Sequence, residues 1–218
     1  MSASLARPYR TVILDVDSTV AGIEGIDWLA RRRSPELARE VASLTDRAMA
    51  GEIPLERVYG ERVGRVAPSR EDVAALAEAY VAALAPGCAD AVRLLRERGA
   101  RIVLLSGGLR EAILPLAAML GVAEGDVHAV PVRFDAEGRY AGVADSPLTT
   151  DGGKPAVVRA LGLERPVLAV GDGNTDLALR GTVDTFAAFV GFVRREPVVR
   201  EADVVVESFD EVVRLVAA

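Results

Sequence analysis

From Cys88 onward the chain alternates helical stretches with short, almost wholly aliphatic ones, and that rhythm leaves few folds open. Helical spacing over 88–98 ends at Gly99 and gives way to "RIVLL" at 101–105. A second helical stretch over 109–120 ends at Gly121 and leads to 126–130, and a third over 155–163 leads to "PVLAV" at 166–170. Further strands are expected at 185–190 and 203–206, with helices near 175–180 and at 208–217. Aliphatic strands without polar alternation are covered on both faces, and strands separated by helices run parallel. With "TVIL" at 11–14, these segments predict an α/β core built on a doubly wound, Rossmann-like parallel sheet. "VRFDAEGRYAGV" at 132–143 alternates about Glu137-Gly138 and predicts a hairpin.

One interruption breaks the rhythm. Segments 23–32, 35–50, 54–66 and 69–84 carry apolar residues three and four apart, separated by Pro or Gly, and Ser69 with Asp72 forms a capping signal for the last. The expected organisation is a core of residues 1–19 and 86–218, with a helical cap of residues 20–85 inserted into it.

Ligands of open parallel sheets bind beyond the carboxyl ends of the strands, so the residues after each strand are the candidates for chemistry. After 11–14 come Asp15, Val16, Asp17, Ser18 and Thr19; after 101–105 come Ser106, Gly107 and Gly108; before the helix at 155 come Gly152, Gly153 and Lys154; after 166–170 comes "GDGNTD", with Asp172 and Asp176. Asp15 and Asp17 repel each other where a buried strand ends, and burial of either demands a cation or donors nearby. Converging carboxylates supply the hard oxygen ligands that Mg²⁺ prefers. Glycine turns, a helix N-terminus, Ser106 and Lys154 supply donors for phosphate oxygens. These are parts for phosphoryl transfer, in which positioning and charge stabilisation provide most of the catalysis. "GGK" is not a Walker loop, because Pro155 stands where Ser or Thr is required. "GDGNTD" matches a dinucleotide fingerprint only to its second glycine, and its acids would repel a pyrophosphate unless a metal intervened.

Other classes recede on charge and composition. The net charge is −6 and the arginines are scattered among acids, which argues against nucleic acid; "ARRRS" at 30–34 reads as a solvated helix end. No apolar run approaches the roughly 18 residues of a membrane span, and the N-terminus has no apolar signal region. The single cysteine, Cys88, excludes an internal disulfide and suits a reducing compartment, so a cytoplasmic location is expected. His128 is the only histidine, which assigns acid–base chemistry to carboxylates or lysine.

In order, Asp-x-Asp-Ser-Thr, Ser-Gly-Gly, Lys and Gly-Asp-Gly-x-x-Asp resemble the four motifs of the haloacid dehalogenase superfamily of phosphatases. "DVDSTVAGIEGIDWLA", "RAMAGEIPLERVYGERV", "LLSGGLREAI", "EGRYAG", "DGGK" and "VGDGNTD" are similar to its phosphoserine-hydrolysing branch along nearly the whole chain, cap included. The resemblance implies a Mg²⁺-dependent phosphomonoesterase acting on a small molecule, O-phospho-L-serine, in the last step of serine biosynthesis, as a monomer or homodimer. It further implies that Asp15 attacks phosphorus to form an aspartyl-phosphate, while Asp17 protonates the leaving oxygen and then deprotonates water. By the same resemblance Asp15, the backbone carbonyl of Asp17, and Asp172 hold Mg²⁺ with support from Asp176, and Ser106, Gly107 and Lys154 hold the phosphoryl group. Glu24 and Arg62 would take the ammonium and carboxylate of the substrate, Met49 would line an apolar wall, and Thr175 would make a further contact. Leu55 stands where the family usually carries phenylalanine, implying a looser pocket, and Thr175 where many relatives carry asparagine, implying a shorter reach. Phosphothreonine or another small phosphomonoester, and transfer to an acceptor such as homoserine, stay open within that chemistry. A non-enzymatic phospho-acceptor switch also gathers acids, a hydroxyl and a lysine around Mg²⁺, but it lacks a second acid at the place of Asp17 and has no helical cap.

Overall fold

β1 (Thr11–Leu14) is the strand about which the chain is organised. It pairs in parallel with β2 (Arg101–Leu109) on one side and β6 (Val167–Gly171) on the other. Beyond β2 lies β3 (Val127–Val130); beyond β6 lie β7 (Thr185–Phe189) and β8 (Val204–Val206), giving a six-stranded parallel sheet in the order β3-β2-β1-β6-β7-β8. Every residue of β1 and β6 is buried, as an aliphatic strand sandwiched between two helical layers requires. These relations come from a computed structural model, which describes residues 9–217. Among the described residues no helix is long and apolar enough to cross a membrane.

The core helices are α5 (Cys88–Glu97), α6 (Arg110–Met119), α7 (Gly153–Leu161), α8 (Asn174–Leu177), α9 (Glu196–Glu201) and α10 (Phe209–Ala217). Since all six strands run the same way, their carboxyl ends share one edge. The chain winds outward in one direction from β1 through β2 and in the other from β6 through β7, so β1 and β6 flank the switch point at which such sheets bind ligands.

Over that edge stand α1 (Gly25–Arg31), α2 (Pro35–Met49), α3 (Leu55–Val66) and α4 (Arg70–Ala82), all lying between β1 and α5 in sequence. They bury Leu29, Val41, Val63 and Leu76 among themselves and against the core. The two connectors lie side by side: Gly22 N–H donates to the Ala83 carbonyl at 2.9 Å, and Ala85 N–H to the Val20 carbonyl at 2.8 Å. Ser69 and Asp72 form the reciprocal capping box of α4. The antiparallel hairpin of β4 (Val132–Phe134) and β5 (Tyr140–Val143) meets the same helix end, where Arg70 lies over the Phe134 ring and donates its N–H to the Gly138 carbonyl. The arginine run is structural: Arg32 lies over Trp28, and Arg33 donates to the Val66 and Ala67 carbonyls that end α3.

Three local expectations need correction. β2 does not stop at Leu105 but continues to Leu109, with its register against β3 shifted between those residues. Ser106, Gly107 and Gly108 therefore sit inside an irregular strand; glycines within a strand mark such irregularities, which an aliphatic criterion cannot follow. Helix α7 begins at Gly153, which places Lys154 in its first turn and not ahead of it. Helix α9 was not foreseen, being six residues long with Pro197 in its first turn and too short for any periodicity.

Candidate active site

At the β1–β6 switch point the carboxylates of Asp15, Asp172 and Asp176 come together, with one oxygen of each within 4.8 Å of the others. All three are buried, and so is the lysine that meets them: Lys154 Nζ lies 2.5 Å from Asp15 Oδ1 and 2.6 Å from Asp176 Oδ1. Asp176 is held in turn through Oδ2 by the Gly173 N–H. The close approach of its carboxyl group depends on glycine at 171, where a Cβ would lie 2.2 Å from the Asp176 carboxyl carbon. Burial and repulsion from Asp176 raise the Asp15 carboxyl well above its ordinary value against the pull of Lys154. Burial and Asp176 likewise push Asp172 up to about 6, against Arg195. Burial alone would depress Lys154, but Asp15 and Asp176 outweigh it and hold its ammonium firmly charged. Three clustered, buried oxygen donors, two of them raised by burial and by repulsion from Asp176, fit a hard divalent cation.

Asp17 lies beside this group with its carboxylate turned toward the cap. Its Oδ1 accepts the Gly25 N–H at 2.6 Å and the Tyr80 hydroxyl at 2.8 Å, and its Oδ2 lies 3.3 Å from Ser106 Oγ. Tyr80 approaches so closely that a Cβ on Gly25 would lie 2.1 Å from its oxygen. Burial raises the Asp17 carboxyl despite those donors, the direction that suits a group passing a proton to and fro. Ser106 also accepts the Gly108 N–H at 2.8 Å, so the hydroxyl anchors the irregular end of β2.

A cleft of about 580 Å³ runs from these acids up into the cap. Every site residue expected from the sequence lines it except Ser106, which is buried beside Asp17. Glu24 enters as the residue preceding α1 and Arg62 from α3. Arg62 is buried and paired with Asp27 at 3.3 Å, while Glu24 accepts the Ser18 hydroxyl at 2.8 Å. The two are thus held by separate partners. Met49, Leu55 and Ile26 supply apolar wall, and the Tyr59 hydroxyl donates to the Gly107 carbonyl at 2.8 Å, tying α3 to the core.

The comparisons with known proteins fit this geometry. Residues 12–179 match the profile of the haloacid dehalogenase-like hydrolases. The chain belongs to the haloacid dehalogenase-like hydrolase family. Among this hydrolase's relatives, phosphoserine phosphatase of Mus musculus is 35% identical over 204 residues, 92% of this chain and 90% of that one. The chloroplastic phosphoserine phosphatase of Arabidopsis thaliana is 33% identical over 215 residues, 96% of this chain and 72% of that one. A phosphoserine phosphohydrolase-like protein from Francisella tularensis has the same fold, with a TM-score of 0.85 at 25% identity, covering 94% of this chain and 99% of that one.

The site also holds residues that no motif announces. Arg195, just before α9, is buried and donates to Asp172 Oδ2 at 3.1 Å, with Glu24 and Asp46 each 3.7 Å away. In the sequence Tyr80 and Asp27 are only parts of amphipathic helices; their polar ends are the one available signal, and it does not say what they meet.

Burial, together with Asp17 and Asp172, pushes Glu24 up to about 8 from 4.5. Between those values the unfolded chain ionises while the folded protein keeps its proton, so Glu24 costs stability as pH rises through the window. In metal-free protein, Glu24→Gln is expected to raise the melting temperature more at about pH 8 than at about pH 5. An equal change at the two pH values would contradict this reading of Glu24.

Proposed function

We propose that this hydrolase cleaves O-phospho-L-serine to serine and phosphate, and that residues 20–85 act as the cap that encloses the substrate. One observation carries the reading: a single cleft is lined both by the lysine-linked acids and by a separately held acid and base, Glu24 and Arg62, the acid ionising when an ammonium faces it. The first set suits a phosphate ester; the second suits an ammonium and a carboxylate on the same small molecule. That its relatives in Mus musculus and Arabidopsis thaliana are phosphoserine phosphatases supports the same reading.

In the proposed reaction Asp15 attacks phosphorus as Asp17 gives its proton to the serine oxygen; the ester P–O bond breaks and an aspartyl-phosphate remains. Lys154 engages Asp15 Oδ1, which leaves Oδ2 for the attack. Water then attacks phosphorus and passes a proton to Asp17, the bond to Asp15 breaks, and phosphate leaves with both carboxyl groups restored. Ser106, Gly107 and Lys154 bind the phosphoryl group, Thr175 and Met49 contact the substrate, and Arg195 orients Asp172. Asp15, Asp172 and the backbone carbonyl of Asp17 would hold Mg²⁺ with Asp176 alongside, and the bound ion would offset the negative charge of nucleophile and phosphate.

Phosphate release measured on phosphoserine, phosphothreonine and an aryl phosphate, with Mg²⁺ and with a chelator, tests the proposal. The expected outcome is the highest kcat/KM on phosphoserine and loss of turnover on chelation. An aryl phosphate turned over as well as phosphoserine would sink the substrate assignment, and full activity under chelation would sink the metal.

A further inference from the structure

Glu24 and Arg62 line one cleft as an acid and a base, and whenever Glu24 is ionised the two attract strongly in a poorly solvated cleft. A direct pairing of the two would leave nothing to receive a zwitterion. Among the described residues the ion pair made by Arg62 is instead with Asp27, Nη2 to Oδ1 at 3.3 Å. Asp27 is itself pinned: the Thr45 hydroxyl lies 2.6 Å from the same Oδ1. Asp27, Thr45 and Arg62 come from three different cap helices, α1, α2 and α3, and all are buried. The Nε of Arg62 is buried with no hydrogen-bond partner, so Asp27 engages Nη2 and leaves a donor of the guanidinium for an incoming acceptor.

We propose that Asp27, fixed by Thr45, is a positioning residue that sets selectivity: it holds Arg62 apart from Glu24 with a donor free for the carboxylate of the substrate. This rests on the phosphoserine reading above. Asp27 acts through Arg62 and not on the reacting atoms, so its loss should appear in KM and only for esters that carry a carboxylate.

The test compares kcat and KM on phosphoserine and on phosphoethanolamine, which keeps the ammonium and lacks the carboxylate. Asp27→Asn is expected to lower kcat/KM on phosphoserine about ten- to a hundredfold, mostly through KM, and on phosphoethanolamine less than about threefold. Thr45→Val should shift the same ratio in the same direction by less, and Thr45→Ser should restore it. If Asp27→Asn fails to fold, the Thr45 pair alone decides. Equal losses on both substrates, or no loss, in a wild type that prefers phosphoserine would overturn the inference and leave the substrate assignment standing. A wild type that turns over phosphoethanolamine as well as phosphoserine would overturn both.

Discussion

Lys154→Met is expected to destabilise the metal-free protein by about 3–5 kcal/mol and to abolish turnover, because the ammonium is the buried partner of two buried carboxylates. The charge it removes is not replaced: Asp15 and Asp176 would face each other across the gap with Asp172 within the same cluster. Asp15 is already raised well above 3.8 by burial and by Asp176, and losing Lys154 raises it further. A carboxyl whose folded value exceeds its unfolded one costs stability as pH rises and recovers it toward acid. Denaturation of the variant at about pH 8 should therefore show a larger loss than at about pH 5. A variant as stable as wild type at the higher pH would mean that Lys154 does not balance these acids.

Parts of this account are legible in the chain and parts are not, and the division follows the range of the interactions. β1 and β6 are buried on both faces, and that burial is written directly as aliphatic runs ending in acids. The four helices between β1 and α5 are legible for the same reason, since each must bury one stripe. Residues 106–108 lie inside β2 because the strand continues past its aliphatic run with a register shift against β3, which an aliphatic criterion does not follow. Glu24 and Arg62 stood out only through resemblance. Asp27 and Tyr80 bond to groups 35 and 63 residues away, Arg62 and Asp17, a separation at which local periodicity carries no information. Arg195 follows Asp172 by 23 residues in a stretch with no motif, and nothing short of the fold brings them together.

Asp17→Asn is expected to lower turnover of phosphoserine by about 10²–10⁴. The amide keeps the shape that meets Gly25, Tyr80 and Ser106 but can neither protonate the leaving oxygen nor take a proton from water. The two halves of the reaction should respond differently. An aryl phosphate has a leaving group that departs without an acid, so with that substrate the first step should persist while hydrolysis of the aspartyl-phosphate stalls.

That difference gives the most direct test of the account. Asp17→Asn protein, mixed with Mg²⁺ and an aryl phosphate, quenched in acid and analysed by peptide mass, should carry a phosphoryl group on Asp15. A phosphoryl group found on Ser18 or Ser106, or release of the aryl group with no phosphorylated peptide, would contradict Asp15 as the nucleophile and Asp17 as the carrier of the proton.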